Sequence, residues 1–213
     1  MAARISESFI LRTYPLKEAD LIVSFFTRDA GRLRGVARRA RKPGNPFGGG
    51  LQRLSYVRMR YFHRENRELD SLDSTEIIQS PFGAAASYET GVALDYIAEL
   101  SESLLPPAEP NERFFRLLIA VTGYLGQSGP GGVWPAVNYF TLWSVRLSGF
   151  LPPMELPEED RAIAEQMLVT PVGALPPREW SRLTARGLRL RLLGLIEDHV
   201  ERRLMTPRYL ESL

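Results

Sequence analysis

Arg28, Arg32, Arg34, Arg38, Arg39, Arg41 and Lys42 crowd one short stretch, with Asp29 the single acid among them. A guanidinium presents its N–H donors in a planar fork that matches phosphate oxygens, so such a cluster attracts polyanions. The other reading of a charge run is a solvated ribbon in an arginine-rich protein. Arginine is indeed favoured here, since Lys17 and Lys42 are the only lysines among 27 basic residues. The distribution of charge supports the polyanion. Residues 1–80 carry a net +6 and residues 81–213 a net −4, concealed in an overall +2. A basic unit joined to an acidic one suggests that the first meets nucleic acid and the second does something else.

A second pattern lies at 54–64. Tyr56, Arg58, Arg60, Phe62 and Arg64 alternate along a strand and share one face. Rings to stack on bases, interleaved with cations for phosphates, are what single-stranded nucleic acid requires. Catalytic patterns are missing. Gly44–Gly50 is not followed by Lys-Ser/Thr, so it reads as a flexible loop and not a phosphate cradle. The chain has no cysteine, and His63 and His199 are far apart and read as structural or surface histidines. Glu158-Glu159-Asp160 suits the first turn of a helix better than a metal. Catalytic and metal residues are therefore expected to be none, and no cofactor is expected.

The elements that must position these residues change character near Pro81. Before it, five short strands are expected: Ser8–Arg12, Leu21–Phe26, Arg32–Arg38, 54–64 and 68–79, with turns at Asp29–Arg32 and Glu65–Arg67. Arg32, Arg34 and Arg38 fall on one face of the third. After Pro81, four-residue periodicity takes over, in Val92, Tyr96, Leu100 and Leu104 and in Leu188, Leu192, Ile196 and Val200. Asn111 is placed to cap a helix carrying Phe114 and Phe115. The expected class is α+β: a five-stranded OB-fold β-barrel at 1–80, then an all-helical domain at 81–213, interrupted by a Pro-rich, irregular segment at 153–177. No run is apolar enough for a membrane span, the N-terminus does not read as a signal peptide, and absent cysteines suit the cytoplasm.

Several runs resemble the RecO family of bacterial recombination mediators. They are Phe9–Thr13, which includes Arg12, then Glu18–Val23, Phe26–Leu33, Gly35–Arg41 and Phe47–Gln52. Phe140–Gly149 followed by Phe150-Leu151-Pro152, and the basic ending Arg203-Leu204 to Arg208-Tyr209-Leu210, are similar to the helical half of that family. The resemblance implies binding of single- and double-stranded DNA, strand annealing, partnership with RecR and with the tail of single-strand-binding protein, and, through them, loading of RecA. Localisation would be cytoplasmic, at the nucleoid. Many relatives carry a four-cysteine zinc module where this chain has Met154–Pro177; without cysteine that site cannot exist here, and the region must be held by packing or be absent.

The expected DNA-binding set is Arg12, Arg32, Arg34, Arg38, Arg39, Arg41, Lys42, Tyr56, Arg58, Arg60 and Phe62. Arg113 and Arg116, beside Phe114 and Phe115, with Arg146 on another helix, are the candidates for protein binding. The alternatives are an RNA-binding or ribosome-associated OB protein and a nuclease whose metal is held by carboxylates.

Overall fold

Apolar side chains at every second position need a surface to bury against, and in the first eighty residues that surface is the inside of a closed barrel. The computed structural model describes residues 3–63, 68–81, 87–153 and 155–213. The barrel strands are β1 (Arg4–Leu16), β2 (Asp20–Thr27), β3 (Gly31–Ala37), β4 (Tyr56–Phe62) and β5 (Asp70–Gln79). They close in the order β1-β2-β3-β5-β4, with β3 and β5 parallel and every other pair antiparallel. Closure depends on the length of β1. Its first half pairs with β4, its second half with β2, and a register shift between Ile10 and Arg12 lets it bend from one to the other. Arg64 and the turn Glu65-Asn66-Arg67 lie outside the described residues, as do residues 82–86 and Met154.

The barrel core is Ile10, Val23, Phe25, Ala37, Phe47, Val57, Met59, Tyr61 and Leu72. Phe47 belongs to the glycine-rich segment, which the sequence suggested was a flexible loop. It is instead tied down, because its one large apolar residue plugs the barrel. The Thr75 hydroxyl donates to the Phe47 carbonyl at 2.9 Å, and Asn45 Oδ1 accepts the Phe47 N–H at 2.9 Å. A Cβ on Gly50 would lie 2.3 Å from Thr75 Oγ1, so that side chain would have to shift.

Two compact units emerge, Met1–Phe82 with Leu105–Phe115, and Gly83–Leu104 with Arg116–Leu213. The expected boundary at 80/81 assigns Leu105–Phe115 to the helical part; the structure groups it with the barrel. Phe9 is the cross-strand partner of both Phe26 and Tyr56. None of the three belongs to the barrel's inner core, and they form an aromatic row on its outer wall. The first turn of α2 (Glu112–Ser128) covers that row. Phe115 lies 5.2 Å from Phe9, 5.7 Å from Phe26 and 5.9 Å from Tyr56, and Phe114 lies 6.1 Å from Phe26. Upstream, the Ala108 N–H donates to the Arg32 carbonyl at 2.9 Å, and Arg32 Nε donates to the Leu105 carbonyl at 2.8 Å. Gly31 is needed here on two counts. Its φ is +75°, and a Cβ would lie 2.3 Å from the backbone nitrogen of Glu109.

Arg28 fastens the segment electrostatically. Its Nε and Nη2 donate to the two carboxylate oxygens of Glu112 at 2.9 and 2.7 Å, and its Nη1 donates to Glu7 at 2.7 Å. Glu7 also accepts from the Tyr56 hydroxyl at 2.6 Å. That hydroxyl, with Arg28 adding, holds the Glu7 carboxyl below its ordinary value of 4.5 against the opposing effect of partial burial.

In the second unit α1 (Tyr88–Leu104) and α5 (Arg186–His199) pack on α3 (Val133–Leu147), which is buried nearly all round. Asn111 caps α2 as expected, its Oδ1 accepting the Phe114 N–H at 3.0 Å. The stretch without cysteines is held by packing. Ile163 and Met167 of α4 (Glu158–Val169) and the following Val172 are buried, and Trp143 Nε1 donates to the Met167 carbonyl at 3.0 Å. Asp160 of the acidic run accepts the Leu188 N–H at 2.8 Å and so satisfies a donor in the first turn of α5. That helix begins at Arg186 and carries the expected stripe, with Leu188, Leu192 and Ile196 buried. The end of the chain, including α6 (Pro207–Leu210), is held by Glu99, which accepts the Thr206 N–H and hydroxyl at 2.8 and 2.6 Å. His63 bonds Asp70 at 2.8 Å, and His199 stacks on Phe150 at 4.2 Å.

Two expectations follow. Phe115→Ala should lower the free energy of unfolding by about 3–5 kcal/mol in a denaturant titration, the usual cost of emptying an aromatic site; a loss well under ~1 kcal/mol would show the cover to be incidental. Ionised Glu7 stabilises the fold, and a depressed folded-state pKa means that contribution is present above 4.5 and is lost as pH falls through the lower folded value. Glu7→Gln should therefore flatten the acid limb of the stability–pH curve, and superimposable limbs would contradict the Glu7–Tyr56–Arg28 contacts.

Candidate nucleic-acid interface

Strand register determines which arginines stand together. Arg12, Ser24 and Arg34 form one row across β1, β2 and β3, and Tyr14, Ile22 and Val36 form the next row in the same direction. The Arg12 and Arg34 guanidiniums both lie over the Tyr14 ring, 5.1 and 5.7 Å from its centre. A ring face attracts each cation, while the two cations repel one another. Sequence reasoning missed Tyr14, because β1 runs on to Leu16, beyond the expected Ser8–Arg12, and so places Tyr14 on the same face as Arg12.

The rest of the basic block sits at one end of the barrel. β3 stops at Ala37, so Arg38 begins a turn and does not continue the strand. Arg39 has a φ of +56° and its N–H donates to Asp20 Oδ1 at 2.8 Å, while the Arg41 N–H donates to the Ala19 carbonyl at 3.0 Å. The turn is thereby fixed against the β1–β2 connection. Between it and the plug lies a cleft of about 320 Å³ lined by Arg38, Arg39, Lys42, Phe47, Leu72 and Asp73, among others.

Counter-ions divide the arginines into two groups. Arg58 pairs with Glu76 at 2.6 Å and Arg60 with Asp73 at 3.2 Å, across β4 and β5. Arg28 is shared by Glu7 and Glu112. Among the described residues, no such pair engages Arg34, Arg38, Arg39, Arg41 or Lys42. Exposed pairs add little stability, but they cancel local potential. The uncompensated positive field thus lies on the β1–β3 wall and the adjoining barrel end.

The alternation expected for β4 holds, with Val57, Met59 and Tyr61 buried and Arg58 and Arg60 exposed. Its use as a stacking face does not follow. The Tyr56 ring lies flat on Phe9 at 4.9 Å and 13°, and burial, together with the bond to Glu7, pushes its hydroxyl up to about 12. Tyr56 is half-buried, with one ring face taken by Phe9 and Phe115 5.9 Å away, so less of the ring is open to a base than the sequence suggested. Phe62 is half-buried at the last position of β4. Arg32 shares its face with Arg34 but is half-buried, with its Nε on the Leu105 carbonyl. Phe114 and Phe115 are buried against the barrel wall, so they cannot be the apolar seat expected beside Arg113 and Arg116, both of which are exposed. Arg146, also exposed, lies 5.1 Å over the ring of Trp143.

A four-thiolate zinc does not fit this chain, which has no cysteine. Among the described residues no group of three His, Asp or Glu side chains could hold a metal, and no helix is long and apolar enough to cross a membrane.

The family model described as recombination protein O N terminal matches residues 1–81, and recombination protein O C terminal matches residues 86–156. The DNA repair protein RecO of Koribacter versatilis is 39% identical, over 98% of this chain and 98% of its own length. Those of Pelotomaculum thermopropionicum and Bifidobacterium animalis subsp. lactis are 32% and 36% identical over 70% and 60% of this chain, which spans 57% and 53% of their lengths.

Proposed function

This chain belongs to the RecO family, whose members serve DNA repair and recombination, and from that premise we propose that it is a non-enzymatic mediator that holds DNA along the β1–β3 wall and the basic end of its barrel. The observation that carries the reading is the set of cations without carboxylates: Arg34, Arg38, Arg39, Arg41 and Lys42, with Arg12 and Tyr14 beside Arg34. Contacts of this kind recognise the phosphate backbone and carry no base sequence. They suit single and double strands alike, and they let two complementary strands share one positive field while they anneal. Phe62 is the ring of β4 best placed to meet a base. The acidic helical unit serves proteins: RecR, and the tail of single-strand-binding protein, so that RecA can be loaded on the strand. Arg146 over Trp143 offers that tail a cation beside an apolar ring, with Arg113 and Arg116 as further exposed cations.

Arg34→Glu with Arg38→Glu should weaken binding to all DNA sequences about equally. Each lost phosphate contact should lower the magnitude of the log–log salt slope by roughly 0.7 on single strands. Arg58→Glu with Arg60→Glu, whose parents are already neutralised, should do less. Equal losses from the two pairs, or none from the first, would overturn the proposed face. Arg146→Glu should abolish binding of an acidic, apolar-ended tail peptide in a titration while single-strand affinity stays; unchanged peptide affinity would place that site elsewhere.

A further inference from the structure

We infer that the cleft at the basic end of the barrel receives the terminal phosphomonoester of a DNA strand, an inference that rests on the DNA-binding reading above. Arg38, Arg39 and Lys42 all line this one cleft, and among the described residues none of them is paired with a carboxylate. The single acid in the lining, Asp73, is already engaged by Arg60 at 3.2 Å. Three cations facing one cleft exceed what an internal phosphodiester, with one charge, can neutralise. A phosphomonoester carries about −1.5 to −2 charges at neutral pH and three acceptor oxygens, and so matches the site more closely.

The shape of the cleft agrees. Phe47 and Leu72, 2% and 5% exposed, close the cleft on its inner side and belong to the rigid barrel core. Its wall is already organised: Asn45 Nδ2 donates to the Lys42 carbonyl at 2.9 Å and Asn45 Oδ1 accepts the Phe47 N–H at 2.9 Å. A wall ordered before the ligand arrives costs less conformational entropy on binding. By contrast, the Arg12–Tyr14–Arg34 group lies on a sheet wall, along which a backbone can continue in both directions. The two features divide the work: the wall takes strand interiors and the cleft takes a strand end.

The test is fluorescence anisotropy of the full chain with one oligothymidylate in four forms: 5′-phosphorylated, 3′-phosphorylated, hydroxyl at both ends, and circular. At least one phosphorylated form should bind about fivefold tighter or more than the hydroxyl form, since one unit charge a few ångströms from a cation in water is worth about fivefold and the phosphomonoester adds more than one. Arg38→Ala with Lys42→Ala, both exposed in the parent, should bring that ratio to one, whatever happens to overall affinity. The Arg12→Ala and Arg34→Ala pair should keep the ratio while weakening all four forms. Equal binding of all forms by the parent would overturn the inference and leave DNA binding standing. A ratio that survives Arg38→Ala with Lys42→Ala would overturn it too, by placing end recognition elsewhere. Failure of every form to bind would remove the DNA-binding reading itself, and the cleft with it.

Discussion

The packing of Phe114 and Phe115 on Phe9, Phe26 and Tyr56, registered by Arg28 between Glu7 and Glu112, is the contact on which the barrel unit depends. A small β-barrel with an apolar inside and a polar outside would not need it. This one carries Phe9, Phe26 and Tyr56 on its outer wall, and an uncovered aromatic row is an aggregation liability. The segment 105–115 supplies the cover, and two kinds of force hold it there. Ring contacts contribute non-directional burial, with about 0.5–1.5 kcal/mol per favourable ring pair beyond the buried area. The bidentate Arg28–Glu112 pair contributes direction, fixing where the first turn of α2 lies along the strands. Arg28 is exposed, so its pairing alone is worth little. Its importance lies in registering a contact that burial stabilises.

The same constraint explains why arginines that look alike in sequence differ in role. Covering the Phe9 row engages Arg28 and draws Arg32 towards Leu105. The β4–β5 pairing matches Arg58 and Arg60 with acids. What remains unmatched lies further along the same outer face of β1–β3 and at the barrel end. Affinity for a polyanion follows uncompensated charge and not arginine count, because a paired guanidinium must give up its carboxylate before it can take a phosphate.

Local pattern made the barrel legible in the sequence, down to which residues of β4 point inward, because a period of two needs no knowledge of partners. The Asn111 cap and the α5 stripe were legible for the same reason. Three features were not. Phe114 and Phe115 fit a helical stripe, yet they bury against strands distant in sequence, and periodicity does not name the surface it buries against. Tyr56 was placed correctly on an outer face, but that Phe115 packs against that face was not legible. Phe47, in a run of glycines and prolines, gave no periodic signal; one large apolar residue in such a run was the clue that it plugs a core. The cleft and the Arg12–Tyr14–Arg34 group depend on register across strands, which the sequence does not contain.

The central claim is that DNA meets the unmatched cations and not the matched ones. Amide hydrogen exchange on the full chain, with and without a saturating single strand, tests it residue by residue. The account predicts slowed exchange from Arg12 to Tyr14, around Arg34 and through Arg38–Phe47, with Tyr56–Arg60 unchanged. Protection concentrated on β4 and β5, with the β1–β3 wall and the 38–47 turn unaffected, would contradict it.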